Sequence, residues 1–332
     1  MEGKIRWGIL GCGKIARKFA SDLSLIEDAE LYAVASRDEI NAANFAKEFK
    51  ATKSFNNYEA LAKHPAVDII YVATPHGLHY EHVMFCLQYN KAVLCEKAFA
   101  LNLKQAKEMI QVARDKRVFL MEALWTKFIP SYSKMMEIIQ KGTLGDIQNV
   151  LINFGFVPQP PVAARLFDPA LGGGTLLDIG IYNVFFALSA LGKPDHIEAS
   201  MTPASTGVDE QCAILWKYNS GAMAQLFSSY TSHLAAEADI SGTKGRIRMT
   251  HRFYAPDTTV EFYAGRADSK QIMPVEKVKG FGYHYEARHA GECLRQGKTE
   301  SDIMTHADTL LLMEMLDAIR AKAGIIYPCD QR

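Results

Sequence analysis

The sequence carries no excess of either charge: Lys and Arg total 37, and Asp and Glu total 37. A balanced chain sets up no overall field for nucleic acid or an anionic membrane, so neither is expected as a partner. Cysteine pairs at metal-ligand spacing are absent as well. Cys12, Cys86, Cys95, Cys212, Cys293 and Cys329 are scattered, with no C-x-x-C. That spacing predicts neither a zinc site nor a disulfide framework and suits a reduced, cytoplasmic protein. No run is expected to be long and apolar enough to span a bilayer. The opening Met1-Glu2-Gly3-Lys4 leads into a strand-like run without the basic and apolar regions of a signal peptide. Internal repeats and low-complexity linkers are also missing.

What is present suffices for two domains. At 332 residues the chain exceeds the size at which a single core usually keeps growing. Residues 1–123 alternate strand-like and helix-like segments: "IRWGIL", "AELYAVAS", "VDIIYVAT", "KAVLCEK" and "VFLMEAL" are separated by helical stretches. "VDIIYVAT" has no polar alternation, as expected of a central parallel strand covered on both faces. This order predicts a Rossmann-type α/β domain with a doubly wound parallel sheet. Residues 124–332 read differently. "SYSKMMEIIQKG" predicts an amphipathic helix capped by Ser131 or Ser133 and stopped at Gly142. Longer strands follow at 147–156, 210–230 and 237–253, the middle one turning at Asn219-Ser220-Gly221. Helical segments near 174–191, 284–296 and 306–323 complete an α+β domain with a large, mostly antiparallel sheet. One face of that sheet should pack on helices. The other, with Leu215 and Met223, is available for a homodimer.

"GILGCGKIA" follows the first strand and opens a helix. Gly11-Cys12-Gly13-Lys14-Ile15-Ala16 is a G-x-G-x-x-A turn. Gly11 permits the tight bend, Gly13 lets backbone approach a pyrophosphate, and Ala16 lets helix and strand pack closely. At the end of the second strand, where NAD sites usually place an acid for the ribose 2′-OH, stand Ser36 and Arg37. A guanidinium pairs with a 2′-phosphate, so NADP is favoured, although Asp38 next door keeps NAD possible. Ala73, Thr74 and Pro75 should border the dinucleotide at the carboxyl edge of the sheet. His76, His79 and His82 span one helix flank, but no thiol or carboxylate completes a metal set. They are expected to cap and pack beside the cofactor, and no metal is assigned.

The run Ala92-Val93-Leu94-Cys95 ends on Glu96-Lys97. Charges at the end of a buried strand need a partner or a function. Lys97 is placed to polarise a carbonyl or hold an alkoxide, with Glu96 orienting it or touching the cofactor ribose; a structural ion pair is the plain alternative. "GGGTLLDIGIYNVFFAL" puts Asp178 and Tyr182 four residues apart on one helix face, behind a flexible Gly172-Gly173-Gly174 that can approach a ligand. A phenol has an ordinary pKa of about 10, and a neighbouring lysine would bring it toward useful acid/base strength.

With "GCGKIA", "VATPHGLHYEH", "AVLCEKA", "FLMEALWTKFIPS", "GTLGDI", "GGGTLLDIGIY", "SGTKGRIR" and "YEARHAGECLRQGK" together, the sequence resembles the Gfo/Idh/MocA oxidoreductase family over essentially its whole length. Within it the chain is most similar to the dimeric dihydrodiol dehydrogenases, also described as NADP-dependent D-xylose dehydrogenases, and their bacterial relatives. The resemblance implies that Glu96-Lys97-Ala98 matches the family's E-K-P motif, alanine standing for proline, with Lys97 as catalytic lysine. It implies that Asp178-Ile179-Gly180-Ile181-Tyr182 matches D-x-G-x-H, with Tyr182 as the acid/base. His79 matches a histidine near the nicotinamide, His76 replaces an asparagine, and Trp125 and Arg165 fall in segments that line the cleft. The expected activity is hydride exchange between nicotinamide and a CH–OH carbon of a sugar, polyol or cyclic diol, with Lys97 beside Tyr182. A non-catalytic NADP(H)-binding sensor or scaffold, or a sugar–sugar oxidoreductase with tightly held cofactor, are the competing readings.

Overall fold

The computed structural model describes residues 3–265 and 270–331. Two compact units result, one of residues 1–128 with 279–310 and the other of 129–278 with 311–332. The sequence suggested one change of unit at 123/124. Instead the chain returns to the first unit, and the reason is visible in contacts. Asp22, buried in the first helix, accepts the backbone N–H groups of Phe281 and Tyr283 at 2.8–3.0 Å. Composition along the chain cannot register such a return.

In the first unit β1 (Ile5–Leu10), α1 (Lys14–Leu23), β2 (Ala29–Ala35), α2 (Glu39–Phe49), β3 (Lys53–Phe55), α3 (Tyr58–Lys63), β4 (Ile69–Val72), α4 (His79–Gln88), β5 (Ala92–Glu96), α5 (Leu103–Lys116) and β6 (Leu120–Ala123) alternate as expected. The strands form a sheet in the order β3-β2-β1-β4-β5-β6, all pairs parallel. Strands β4, β5 and β6 are buried at every position, which explains why their sequences read as continuous apolar runs. The strand order reverses between β1 and β4, and ligands of doubly wound sheets lie at such switch points. Leu10 pairs with Val72 there, so the turns beginning at Gly11 and Ala73 emerge side by side.

In the second unit come α6 (Pro130–Gln140), β7 (Ile147–Gly155), α7 (Ile181–Leu191), β8 (His196–Pro203), β9 (Asp209–Lys217), β10 (Met223–Ser229), β11 (Ala238–Gly242), β12 (Gly245–Met249), β13 (Val260–Ala264) and β14 (Lys270–Ile272). The eight-stranded order is β14-β13-β12-β11-β7-β10-β9-β8, antiparallel except for β7 with β10. The turn around Gly221, at φ +92°, closes the β9–β10 hairpin. Helix α8 (Tyr283–Arg295) belongs to the first unit, and α9 (His306–Ala323) begins there and ends in the second.

Two local expectations are corrected. Helix α6 has no side-chain cap: Pro130 starts it at its first position, and Ser131 lies buried inside. Proline's fixed φ replaces a hydroxyl cap there. The run Pro169–Leu191 is, by length and composition, apolar enough to cross a bilayer. However, 78% of its most apolar window is buried within the protein, as in a core helix.

Candidate active site

The nucleotide half of the site grows from the β1–α1 turn. Gly11 has φ +99°, and a Cβ there would lie 3.0 Å from Thr74 Cγ2 and 3.1 Å from the Ala73 carbonyl oxygen. Only glycine fits. A Cβ on Gly13 would meet nothing within 4 Å, and as N-cap residue Gly13 leaves α1 without a side-chain cap. First-turn N–H groups without a side-chain acceptor suit a phosphate. Lys14 is exposed and Ile15 half-buried beside them, while Ala16 is buried against the strand. Cys12 is packing: its Sγ lies 3.5 Å from the Ala35 carbonyl, and burial pushes its thiol up to about 11.

At the end of β2 the side chains divide their duties. Ser36 Oγ accepts from the Asp38 backbone N–H at 3.2 Å and lies 3.4 Å from Asn41 Nδ2. Asp38 caps α2 through the Asn41 N–H at 3.0 Å. Arg37, Asp38 and Glu39 are all exposed at this edge. The Arg37 charge lies near Tyr58, whose phenol burial nonetheless pushes above its ordinary range. Tyr58 packs edge-on against His82 at 4.8 Å, and His82 Nδ1 lies 2.9 Å from Thr74 Oγ1. Burial, reinforced by the Arg37 charge, lowers His82 to about 4. A guanidinium near a phenol at this edge fits a phosphorylated adenosine.

Lys97 sits half-buried just past β5, and the main chain from Lys97 to Phe99 is anchored at three points. Glu96 is buried. Its Oε1 accepts the Tyr71 hydroxyl and its Oε2 accepts the Lys97 backbone N–H at 3.2 Å. Glu96 therefore holds Lys97 through the backbone. The Lys97–Ala98 peptide is cis. His79, fully buried, lies with Nδ1 2.8 Å from the Ala98 carbonyl and Nε2 2.7 Å from the Thr74 carbonyl. Burial lowers it to about 4, and a neutral imidazole has one N–H, so it donates to one of these carbonyls at a time. Glu122 on β6 accepts the Phe99 backbone N–H at 3.2 Å. Pro75 and the buried His76 continue the turn after Thr74, as expected for the sheet edge.

Sequence reasoning missed Glu122, Tyr71 and Glu286. Glu122 is an acid inside the apolar run "VFLMEAL", and that was the available signal. Glu286 on α8 is wholly buried, with neither oxygen bonded among the described residues. Burial, with the Glu96 and Asp22 charges, raises it well above the ordinary carboxylate range. Trp125, assigned to the cofactor, is 5% exposed and stacks on Tyr283 at 4.7 Å.

In the second unit two glycines of the triplet lie against the protein's own atoms. A Cβ on Gly173 would lie 2.8 Å from the Asp168 nitrogen, and one on Gly174 only 2.2 Å from Asp209 Oδ1. Gly173 and Gly174 make room for the protein's own backbone and acid. Asp209 accepts the Thr175 hydroxyl and the Leu176 N–H, both at 2.7 Å, and so caps the segment bearing the motif. Residues Leu176–Gly180 form a π turn before α7 begins, a feature often found at functional sites. Asp178 is buried, with Oδ1 3.1 Å from Arg165 and Oδ2 accepting the Tyr230 hydroxyl at 2.7 Å. Arg165, also assigned to the cofactor, pairs here with Asp178. Tyr182 is buried and stacks on Tyr254 at 4.8 Å, which stacks in turn on Phe154 at 4.5 Å.

Residues 5–124 match the model described as an oxidoreductase family with an NAD-binding Rossmann fold, and residues 132–248 match the GFO/IDH/MocA C-terminal domain. The chain belongs to the Gfo/Idh/MocA oxidoreductase family. It is 36% identical over 338 residues to the human trans-1,2-dihydrobenzene-1,2-diol dehydrogenase, covering 99% of both chains, and 37% identical to the mouse protein with the same coverage. Among solved structures it is similar to KijD10, a 3-ketoreductase from Actinomadura kijaniata solved with NADP and TDP-benzene. There the TM-score is 0.86 and the identity 26%, over 97% of this chain and 98% of that one. The Caulobacter crescentus aldose-aldose oxidoreductase shares the fold, with TM-score 0.87 at 23% identity over 97% and 98%. The Gfo/Idh/MocA chain described here thus has relatives named as dehydrogenases or reductases of diols and sugars.

Proposed function

We propose that this protein is an NADP-dependent oxidoreductase acting on a CH–OH carbon of a cyclic diol or sugar. The observation that carries the reading is the anchoring of the main chain from Lys97 to Phe99 by Glu96, His79 and Glu122. So much buried polar support for one strand-end lysine is what preorganisation of a catalytic group requires. The diol dehydrogenase relatives and the NADP-bound ketoreductase support the same class. Arg37, with Asp38 held as a helix cap, selects the 2′-phosphate.

When bound, NADP supplies the hydride acceptor or donor. The chain's own residues handle the proton and the charge. Lys97 stabilises the substrate oxygen as negative charge develops, and Tyr182 exchanges the hydroxyl proton. Asp178 is a positioning residue: it fixes the turn before Tyr182 through Arg165 and Tyr230. We place the enzyme in the cytoplasm and read it as a homodimer. Its interface is the sheet face carrying Leu151, which is 44% exposed, with Leu215 and Met223.

The deciding experiment is NADPH formation by purified protein with a trans-dihydrodiol, D-xylose, D-glucose and inositols, run in parallel with NAD⁺. Turnover of one member with NADP⁺ preferred is the expected result. Silence across the panel in both the oxidative and reductive directions, with NADPH binding intact by fluorescence, would replace the enzyme with a sensor.

A further inference from the structure

Tyr182 is the second residue of α7, and the start of that helix is fixed on β10. The wholly buried Asn183 donates from Nδ2 to the Phe227 carbonyl at 2.9 Å. A Cβ on Gly180 would lie 3.1 Å from Ser228 Oγ, so the chain just before α7 runs close to the same strand. Anchoring the backbone still leaves the ring loose, because χ2 of a tyrosine has a broad well. The plane in which the hydroxyl lies needs a second support.

One loop supplies it. Residues 250–259 join β12 to β13. At their neck the Thr250 N–H donates to the Thr259 carbonyl and the Thr259 N–H to Thr250 Oγ1, both at 3.1 Å. The Phe253 N–H reaches the Ala236 carbonyl at 3.1 Å, and Arg252, at φ +53°, pairs with Asp257 at 2.8 Å. The loop so held offers two adjacent rings to α7. Phe253, wholly buried, meets Phe186 edge-on at 4.8 Å. Tyr254, half-buried, stacks on Tyr182 at 4.8 Å with the planes 25° apart. Tyr182 and Phe186 are four apart and stand one helical turn from each other on the same face. Sliding the loop along the helix would therefore break both contacts at once.

A third ring completes the support. Phe154 on β7 stacks on Tyr254 at 4.5 Å with the planes 19° apart. The Phe154 and Tyr182 centroids are only 6.3 Å apart, so Tyr254 lies across both rings rather than between them. Rotation of Tyr182 about χ2 would drive its edge into the face of Tyr254.

We propose that Tyr254 is a positioning residue for the reaction: it sets the ring plane of Tyr182, and with it the direction in which the phenol exchanges its proton. The inference rests on the reading of Tyr182 as the acid/base. A proton passes only when the hydroxyl lies ~2.6–3.2 Å from the oxygen it serves, and a misplacement of ~1 Å costs ~10²-fold in rate. Burial raises the Tyr254 phenol above its ordinary range, so it stays protonated at neutral pH. Its ring, not its hydroxyl, carries the effect.

The test is steady-state turnover of the full chain with NADP⁺ and the substrate found in the panel above. Tyr254→Leu removes the ring and keeps apolar bulk. It should lower kcat by ~10²-fold while KM for NADP⁺ stays at the wild-type value. Tyr254→Phe keeps the ring and should turn over like the wild type. In a Tyr182→Phe background, Tyr254→Leu should cost nothing further, because the group it acts through is already gone. If melting shows that the leucine variant does not fold, Tyr254→Met takes its place. Wild-type kcat in a folded Tyr254→Leu enzyme, a loss confined to substrate KM, or an equal loss in the Tyr182→Phe background overturns the proposal. An unimpaired Tyr182→Phe enzyme strikes the acid/base reading and this proposal with it. A slow Tyr182→Phe beside an unimpaired Tyr254→Leu strikes this proposal alone.

Discussion

Glu122 accepts the backbone N–H of Phe99 at 3.2 Å, so an acid on β6 holds the chain two residues beyond Lys97. Its other oxygen has no partner among the described residues, and burial pushes the carboxyl from 4.5 up to about 7. The anchor of a strand-end lysine therefore changes charge near neutrality.

The consequence for stability has a definite sign. A raised acid binds its proton more tightly in the folded state. Its contribution is thus fully present below pH 4.5 and is lost as pH rises toward 7. From 7 − 4.5, a span of 2.5 units corresponds to as much as about 3 kcal/mol. Glu122→Gln keeps an oxygen for the Phe99 N–H and cannot ionise. Urea denaturation at pH 5 and pH 7.5 should show wild-type stability falling with pH and the variant falling less. Equal pH dependence in both would refute the assignment.

Arg37→Ala should raise the KM for NADP(H) by about 10–100-fold, the loss of one charge-assisted contact, and leave that for NAD(H) nearly unchanged. Initial rates with both cofactors decide it. If the two KM values rise in parallel, Arg37 does not read the 2′-phosphate.

Lys97→Met and Tyr182→Phe should each lower kcat by about 10²–10⁴-fold, the usual contribution of a positioned acid/base, while NADPH still binds. Fluorescence titration beside turnover separates the two effects. Near-wild-type kcat in both variants would remove these residues from the chemistry.

Gly174→Ala should destabilise the second unit severely. Its Cβ would fall 2.2 Å from Asp209 Oδ1, at a φ of +111° that disfavours any side chain. Asp209→Ala should cost about 1–3 kcal/mol for each buried donor it leaves unpaired, Thr175 and Leu176. Thermal melts of both variants check this, and an unshifted Tm in either would show that the cap is dispensable.

Leu151→Lys with Met223→Lys should convert a dimer to a monomer by light scattering, without loss of helical signal. A wild type already monomeric at micromolar concentration would rule out the sheet-face interface.

The sequence by itself determined both folds and the local turn at Gly11. Strands covered on both faces write continuous apolar runs, and a G-x-G-x-x-A turn is local: Gly11 needs its φ and its missing Cβ whatever happens elsewhere. The strand-end Lys97, and Arg37 beside Asp38, are legible for the same reason. Only tertiary structure decided what surrounds them. Glu122 reaches Phe99 across a strand pair, and Asp22 meets Tyr283 from 261 positions away. Asp209 fills the space that Gly174 vacates, and Asp178 spends its oxygens on Arg165 and Tyr230. Spacing along a chain encodes helix faces and strand alternation. It does not encode which buried acid lies against which distant backbone, because desolvated charges must find partners wherever folding places a donor.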